Sequence, residues 1–204
     1  MLELKPQPFQ KKILDAEQDF VLAGGGAGSG KSWTLLVKAL EFTDDPESFI
    51  VFFRRTNTDL ENGLWRSAKS MYLPLLTYQS GKNKGKFIGK ARIREDQKII
   101  VWPNGATMKF AYMATDKDAE LNWQGQEVTV CLWDEFGQSS EFQFHYIRSR
   151  LRSKSRHKSR MFCTLNPNKD HISYEFVKQY LDADGYPIKE LSGKTGYFCI
   201  VDNT

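Results

Sequence analysis

Ala23-Gly24-Gly25-Gly26-Ala27-Gly28-Ser29-Gly30-Lys31-Ser32 decides how the rest of the chain is to be read. Gly25, four intervening residues and then Gly30-Lys31-Ser32 satisfy the phosphate-loop pattern. The apolar run Phe20-Val21-Leu22-Ala23 before it reads as a buried strand, and Ser32 to Leu40 after it as a helix with an apolar face. That is the strand, loop, helix context the motif needs. Glycines at 25, 26, 28 and 30 allow backbone angles closed to other residues, so successive amides can turn inward around phosphate oxygens. The helix N-terminus adds the positive end of its dipole. In this reading Gly25, Gly26, Ala27, Gly28, Ser29 and Gly30 wrap the phosphates of a nucleotide. Lys31 reaches the β and γ phosphates, and the Ser32 hydroxyl ligates Mg²⁺.

The second landmark is Val128-Thr129-Val130-Cys131-Leu132-Trp133-Asp134-Glu135, an apolar strand delivering two carboxylates at its carboxyl end. This is the Walker B arrangement, in which Asp134 holds the Mg²⁺ shell and Glu135 polarises the attacking water. An acidic pair after a strand also serves as a helix cap. Joined to a phosphate loop, the pair points to hydrolysis, because a site built only to bind nucleotide has no need of Glu135.

The chain of 204 residues suits one domain of the larger sort, and its 40% hydrophobic and 26% charged residues are ordinary for a globular protein. A net charge of +4 is too mild to establish a nucleic-acid partner. No apolar run approaches membrane-spanning length and Met1 to Pro6 lacks a secretory signal's apolar stretch, so a cytoplasmic protein without a membrane partner is expected. Cys131, Cys163 and Cys199 each sit in an apolar run with no CxxC pair, which favours buried free thiols over zinc or a disulfide.

Elsewhere the residues leave alternatives open. Gln10, at the start of a short helix around Lys11 to Glu17, either reads the donor and acceptor of an adenine edge or is a surface glutamine. Phe49 to Phe53 reads as an interior parallel strand, with Arg54-Arg55-Thr56 at its carboxyl end facing either phosphate or DNA, or simply solvent. Asp59 to Tyr78 reads as helix with a break near Pro74, and the lysine-rich Ser80 to Arg94 as a mobile or DNA-contacting loop. Asn104-Gly105 between β-rich runs predicts a hairpin. The helix expected over Phe142 to Leu151 carries Arg148, Arg150 and Arg152, and the basic series continues to Arg160. It is a solvated run, a source of phosphate contacts to DNA, or a source of an arginine finger for a neighbouring subunit's ATP site. Thr164 or Asn166, ending a strand from Arg160, either senses the γ-phosphate or belongs to a simple Asn-Pro turn. A helix over Tyr174 to Leu181, a turn at Asp184 to Pro187 and a last strand over Gly196 to Val201 complete the reading.

With these residues assembled, the chain resembles the ATPase domain of the large terminase subunit of tailed bacteriophages. The resemblance runs from Gln10 and the phosphate loop through Arg54-Arg55-Thr56, the Asn104-Gly105 hairpin and Trp123-Gln124-Gly125. It continues through Trp133-Asp134-Glu135, Arg150-Leu151-Arg152, Thr164-Leu165-Asn166-Pro167 and Val201-Asp202-Asn203. It implies an α/β fold of the P-loop, ASCE and RecA-like kind, with a mostly parallel sheet flanked by helices and extended by an antiparallel hairpin. It further implies an ATP- and Mg²⁺-dependent motor that works as a homo-oligomeric ring around double-stranded DNA, with a portal protein and a small terminase subunit as partners. By the same resemblance Thr164 to Asn166 matches the coupling motif and Gln10 the adenine-reading glutamine.

Two departures qualify it. Some members place an arginine inside the phosphate loop or just before the glycine equivalent to Gly125; here Ala27, Ser29 and Gln124 stand there. The finger is then expected from Arg148, Arg150, Arg152 or a partner. The chain also stops at Asn203-Thr204, about where that family's linker begins. A single ATPase domain over residues 1–204, truncated before a C-terminal nuclease domain and without nuclease activity, is therefore expected. The rival readings are a superfamily 2 helicase motor domain and a nucleotide-switched binding module.

Overall fold

The computed structural model describes residues 5–26, 28–166, 168–184 and 188–191. Its centre is strand β2, Phe49–Arg54. Alternation along this strand sends Ile50 and Phe52 to one face of the sheet and Val51 and Phe53 to the other, and all four are fully buried. A continuous apolar run of this sort fits an interior parallel strand covered on both sides. β1 (Phe20–Gly24), β5 (Thr107–Tyr112), β6 (Val130–Trp133) and β7 (Arg160–Leu165) run parallel in the same sheet. With β3 (Arg92–Arg94) and β4 (Ile99–Val101) the order is β1-β7-β6-β2-β5-β4-β3.

The Asn104-Gly105 hairpin forms as expected, pairing β4 with β5 antiparallel. Gly105 has φ of 115°, and the Asn104 side chain accepts from the Ala106 amide while donating to the Thr43 carbonyl. β3 is an addition at the end of the lysine-rich loop. Its Arg-Ile-Arg sequence leaves Ile93 alone to pack inward, so no hydrophobic alternation announces it.

One face of the sheet is covered by α1 (Pro8–Leu14), α2 (Lys31–Ala39) and a long helical stretch after β2. α1 begins earlier than the charge pattern suggests, because Pro8 at its first position supplies a preset φ where an amide would have no partner. Buried Lys38 ties α1 to α2, donating to the Leu14 and Ala16 carbonyls and to Glu41. The stretch after β2 comprises α3 (Asn57–Asp59), a π-helical segment (Leu60–Trp65) and α4 (Arg66–Leu76). Pro74 does not break it. Pro74 and Ser70 both lie on the exposed side, where water can satisfy the carbonyl that Pro74 leaves unbonded, while buried Tyr72 and Leu76 anchor the other side. The irregularity falls instead on the π segment around Gly63.

The opposite face is covered by α5 (Asp116–Trp123), α6 (Glu141–Arg148) and α7 (Ser173–Val177), with Trp123, Phe144 and Ile147 packed on Phe53, Trp133 and Cys163. α6 is shorter than expected and ends at Arg148, with Ser149 as its C-cap; α7 passes into a single 3-10 turn over Lys178–Tyr180. Cys131 and Cys163 are free and buried, and burial pushes both thiols well above their ordinary range. Cys199, the strand expected over Gly196 to Val201 and most of the turn before it lie outside the described residues, as do Ala27 and Pro167. Among the described residues no helix is long and apolar enough to cross a membrane.

At the amino-terminal edge of the sheet, Asp45 joins the turn before β2 to the basic segment before β7. Its carboxylate accepts from Ser155 Oγ at 2.7 Å, the Glu47 amide at 3.0 Å and the Arg156 amide at 2.6 Å. These donors, Ser155 foremost, hold the carboxyl at about 2 against an ordinary 3.8. Because the folded value is depressed, the stabilisation is fully present above pH 3.8 and is lost as pH falls through about 2. Asp45→Asn should therefore melt below the wild type at pH 6, and the gap should narrow steadily below about pH 4. A gap in melting temperature that is constant from pH 6 to pH 3 would count against this role.

Candidate active site

Parallel strands share a direction, so β1, β2, β6 and β7 deliver their carboxyl ends to one edge, and the loops there converge. The phosphate loop leaves β1 and enters α2. Gly30, the N-cap of α2, has φ of 75° and Gly28 has φ of 79°, the left-handed region that glycine tolerates. Gly30 is also where another chain segment presses closest. A Cβ there would stand 2.3 Å from Gln10 Nε2, so the Gln10 amide lies directly against the loop. Gln10 is buried, and its Oε1 accepts from the Gln7 amide at 2.7 Å. The loop's start is fastened to β7 by the Gly25 amide, which donates to the Leu165 carbonyl.

Lys31 turns back into its own loop. Its Nζ donates to the Gly25 and Gly26 carbonyls at 2.6 and 2.7 Å and to Asn166 Oδ1 at 3.2 Å. Ser32 points the other way, donating from Oγ to Asp134 Oδ2 at 2.7 Å. Ser29 Oγ donates to the Gly26 carbonyl.

Asp134 is 1% exposed at the end of β6. A buried carboxylate is costly unless its oxygens are bonded, and here four donor groups meet it. Thr164 Oγ1 donates to Oδ1 at 2.8 Å, while Ser32 Oγ and the Nε and Nη2 of Arg54 donate to Oδ2 at 2.7, 3.0 and 2.7 Å. Arg54 also reaches Glu135, with Nη1 3.3 Å from Oε1. Glu135 adopts left-handed backbone angles, φ 56° and ψ 40°, and its other oxygen accepts from Gln138 Nε2 at 3.2 Å. A non-glycine residue in that region is strained, and such strain persists where neighbours over-determine it.

The structure thus brings together Gln10, Gly25, Gly26, Gly28, Ser29, Gly30, Lys31, Ser32, Asp134, Glu135, Thr164 and Asn166. To these it adds Arg54, for which the sequence left solvent, DNA and phosphate open. The strand order explains the omission: β6 pairs with β2 so that Phe53 lies opposite Trp133, which sets residues 54 and 134 side by side. Nothing in the linear spacing reveals that neighbour. Arg148, Arg150 and Arg152 lie elsewhere. The Val128 amide, before β6, donates to the Arg150 carbonyl, so these arginines belong to the amino-terminal edge, away from their own chain's phosphate loop. Arg150 stacks over Tyr146, Arg152 lies 3.6 Å from Glu127, and Arg148 is exposed. Farther along the series Arg156 pairs with Asp44, Lys158 with Asp19 and Arg160 with Glu41.

The donor set fits Mg²⁺ by its chemistry. A serine hydroxyl and a carboxylate are hard oxygen ligands, and Mg²⁺ commonly takes only one or two protein ligands beside phosphate oxygens and water. Among the described residues no group of three or more His, Cys, Asp or Glu offers an all-protein metal cage.

A phosphate loop after β1, an acid pair after β6 and a parallel strand, β7, inserted between them define a P-loop-type fold of the ASCE, RecA-like arrangement. The chain belongs to the terminase large subunit family, T4-like-virus type, N-terminal part, which matches residues 22–200. Among solved structures, the large terminase of a thermophilic bacteriophage is similar with a TM-score of 0.63 at 14% identity, over 86% of this chain and 44% of that one. The HK97 bacteriophage large terminase gives 0.61 at 15% identity, over 86% and 36%. The large terminase ATPase domain of Thermus phage P74-26 gives 0.58 at 16%, over 89% and 72%. At such identities the likeness is one of fold, and the chain spans less than half the length of the first two of these proteins. No curated protein matches the chain.

Thr164 is fully buried and its hydroxyl serves Asp134. Thr164→Val keeps the shape and removes the donor, so it should lower unfolding free energy by about 1–3 kcal/mol. Denaturant titration checks this; an unchanged midpoint would remove Thr164 from the support of Asp134.

Proposed function

We propose that this chain is the ATP-hydrolysing motor domain of a large terminase, driving double-stranded DNA into a viral procapsid. The observation that carries the reading is the 2.7 Å contact between Ser32 Oγ and Asp134 Oδ2, which joins the phosphate-loop helix to the acid-bearing strand from residues far apart in sequence. Family membership supports the motor assignment. Two further structures of the thermophilic bacteriophage's large terminase, similar in fold to this chain, are complexes with ADP and with ATP-gamma-S, which supports ATP as the substrate here.

In this reading the loop amides from Gly25 to Ser32 and the N-terminus of α2 hold the triphosphate. Lys31 exchanges its loop carbonyls for β- and γ-phosphate oxygens and offsets charge gathering on the transferred group. Ser32 and Asp134 would hold Mg²⁺, which would supply positive charge to offset that of the phosphates. Glu135 orients the attacking water, Asn166, bonded to Lys31, registers the γ-phosphate, and Gln10 lies where an adenine edge could meet it. Arg148, Arg150 and Arg152 are too far from their own site to act there and are offered as fingers toward a neighbouring subunit in a ring. Portal protein, small terminase subunit and host cytoplasm complete the proposed setting.

Glu135→Gln should bind a fluorescent ATP analogue like the wild type while turnover falls about a hundredfold or more. Lys31→Ala should lose the binding itself. Undiminished hydrolysis by Glu135→Gln would take the water-directing role from Glu135. For the finger, turnover per subunit should rise with protein concentration, and replacing all three arginines should flatten that rise. A rate per subunit independent of concentration in both proteins would count against a finger supplied by a neighbour.

A further inference from the structure

After β6 the chain turns on the left-handed backbone of Glu135 into a single 3-10 turn, Phe136–Gln138. Three of the bonds that hold this turn are local. The Gln138 amide donates to the Glu135 carbonyl at 3.1 Å, and the Ser139 amide and Oγ both donate to the Phe136 carbonyl, at 3.0 and 2.8 Å. A further bond comes from the segment between β7 and α7. His171, 8% exposed, places Nε2 3.3 Å from Ser139 Oγ and stands edge-on to the Phe136 ring, with 4.8 Å between centroids. The other ring nitrogen fixes the tautomer. The Ser173 amide donates to Nδ1 at 3.1 Å, and Ser173 Oγ lies 2.8 Å from the same atom. A nitrogen that accepts from an amide carries no proton, so the proton of the neutral ring sits on Nε2 and is donated to Ser139. Burial pushes the imidazole below its ordinary value, which keeps it neutral at pH 7. The bonds therefore run in one sense, from His171 Nε2 to Ser139 Oγ and from Ser139 Oγ to the carbonyl next after Glu135.

We propose that His171 is a positioning residue for Glu135, acting through Ser139 and Phe136 on the turn that sets the direction of the carboxylate. Left-handed backbone at a non-glycine residue persists where its surroundings over-determine it. Here Phe136 is fully buried with its ring against Trp133 and Phe144 as well as His171. The turn also lies close on the exit of β7, since a Cβ on Gly137 would stand 3.3 Å from the Asn166 carbonyl oxygen. Losing the bond from His171 leaves the turn its local bonds and frees its far end from the segment before α7. The ring's hydrogen bonds go to Ser139 and Ser173, not to the phosphate loop, so the loss should be felt in turnover and not in nucleotide binding. The effect on turnover rests on the proposed hydrolytic function, whereas the clamp itself does not.

The test compares His171→Gln, His171→Asn and Ser139→Ala with the wild type. A glutamine amide extends as far as Nε2 and can still donate to Ser139; an asparagine reaches only to the place of Nδ1 and serves Ser173 alone. His171→Asn should lower kcat about tenfold or more, as small misplacements of reacting groups do, with KM and binding of a fluorescent ATP analogue unchanged. His171→Gln should restore kcat to near the wild-type value. Ser139→Ala should match His171→Asn, and the double variant should lose no more than either alone. Hydrogen exchange of the Gln138 and Ser139 amides should quicken in His171→Asn and not in His171→Gln. An unchanged kcat in His171→Asn overturns the proposal, as does a His171→Gln protein no better than His171→Asn, or a loss that appears in analogue binding. Should His171→Asn fail to fold, Ser139→Ala decides by the same criteria. A wild type that binds the analogue without turning it over would instead sink the hydrolytic reading, and the exchange of Gln138 and Ser139 would then judge the clamp: equal rates in His171→Asn and the wild type overturn it.

Discussion

The buried carboxylate of Asp134 is the constraint on which the arrangement depends. At 1% exposure it cannot rely on water, and an unpaired charge there would cost several kcal/mol. The fold answers with donors from three elements, Ser32 at the start of α2, Arg54 at the end of β2 and Thr164 near the end of β7. Satisfying that carboxylate requires three segments distant in sequence to close on one point. The same closure aligns the phosphate loop with the acid pair, so the electrostatics of one residue and the geometry of the site are a single requirement.

The charges divide between the two edges of the sheet. The carboxyl-terminal edge carries Lys31, Arg54 and the acids they face, while the amino-terminal edge gathers the basic series from Arg148 to Arg160 against Asp19, Glu41, Asp44 and Asp45. Much of that series is neutralised locally. His157, and with it Arg156, holds the Asp44 carboxyl below its ordinary range. A chain so built cannot bring Arg148, Arg150 or Arg152 to its own phosphate loop.

Phosphate loop, acid pair and hairpin were legible because each is a local pattern: glycines where the backbone must turn left-handed, an apolar run ending in acids, Asn-Gly between strands. The two faces of β2 were legible as one unbroken apolar run. Helix limits were less so, since the extent of α1 depends on Pro8 and that of α4 on which side of the helix Pro74 faces. Arg54 was ambiguous for a different reason. Its partners are set by β6 lying beside β2, and strand order is a property of the assembled sheet. β3 escaped because three residues with one inward side chain carry no periodicity.

Lys31 and Arg54 have a physical consequence in common. Each cation is already satisfied, Lys31 by two loop carbonyls and Asn166, Arg54 by two carboxylates. Binding to such a site is an exchange of partners, so its net strength is the difference between the new bonds and the internal ones they replace. An exchange that weakens affinity also transmits information. When Lys31 changes partners, Asn166 loses one at the end of β7, the strand that also carries Thr164 to Asp134. When Arg54 changes partners, Glu135 loses one on a backbone held in a strained conformation. The internal bonds that make the site a poorer ligand trap are therefore the same bonds through which occupancy can move Glu135 and the strand behind Lys31.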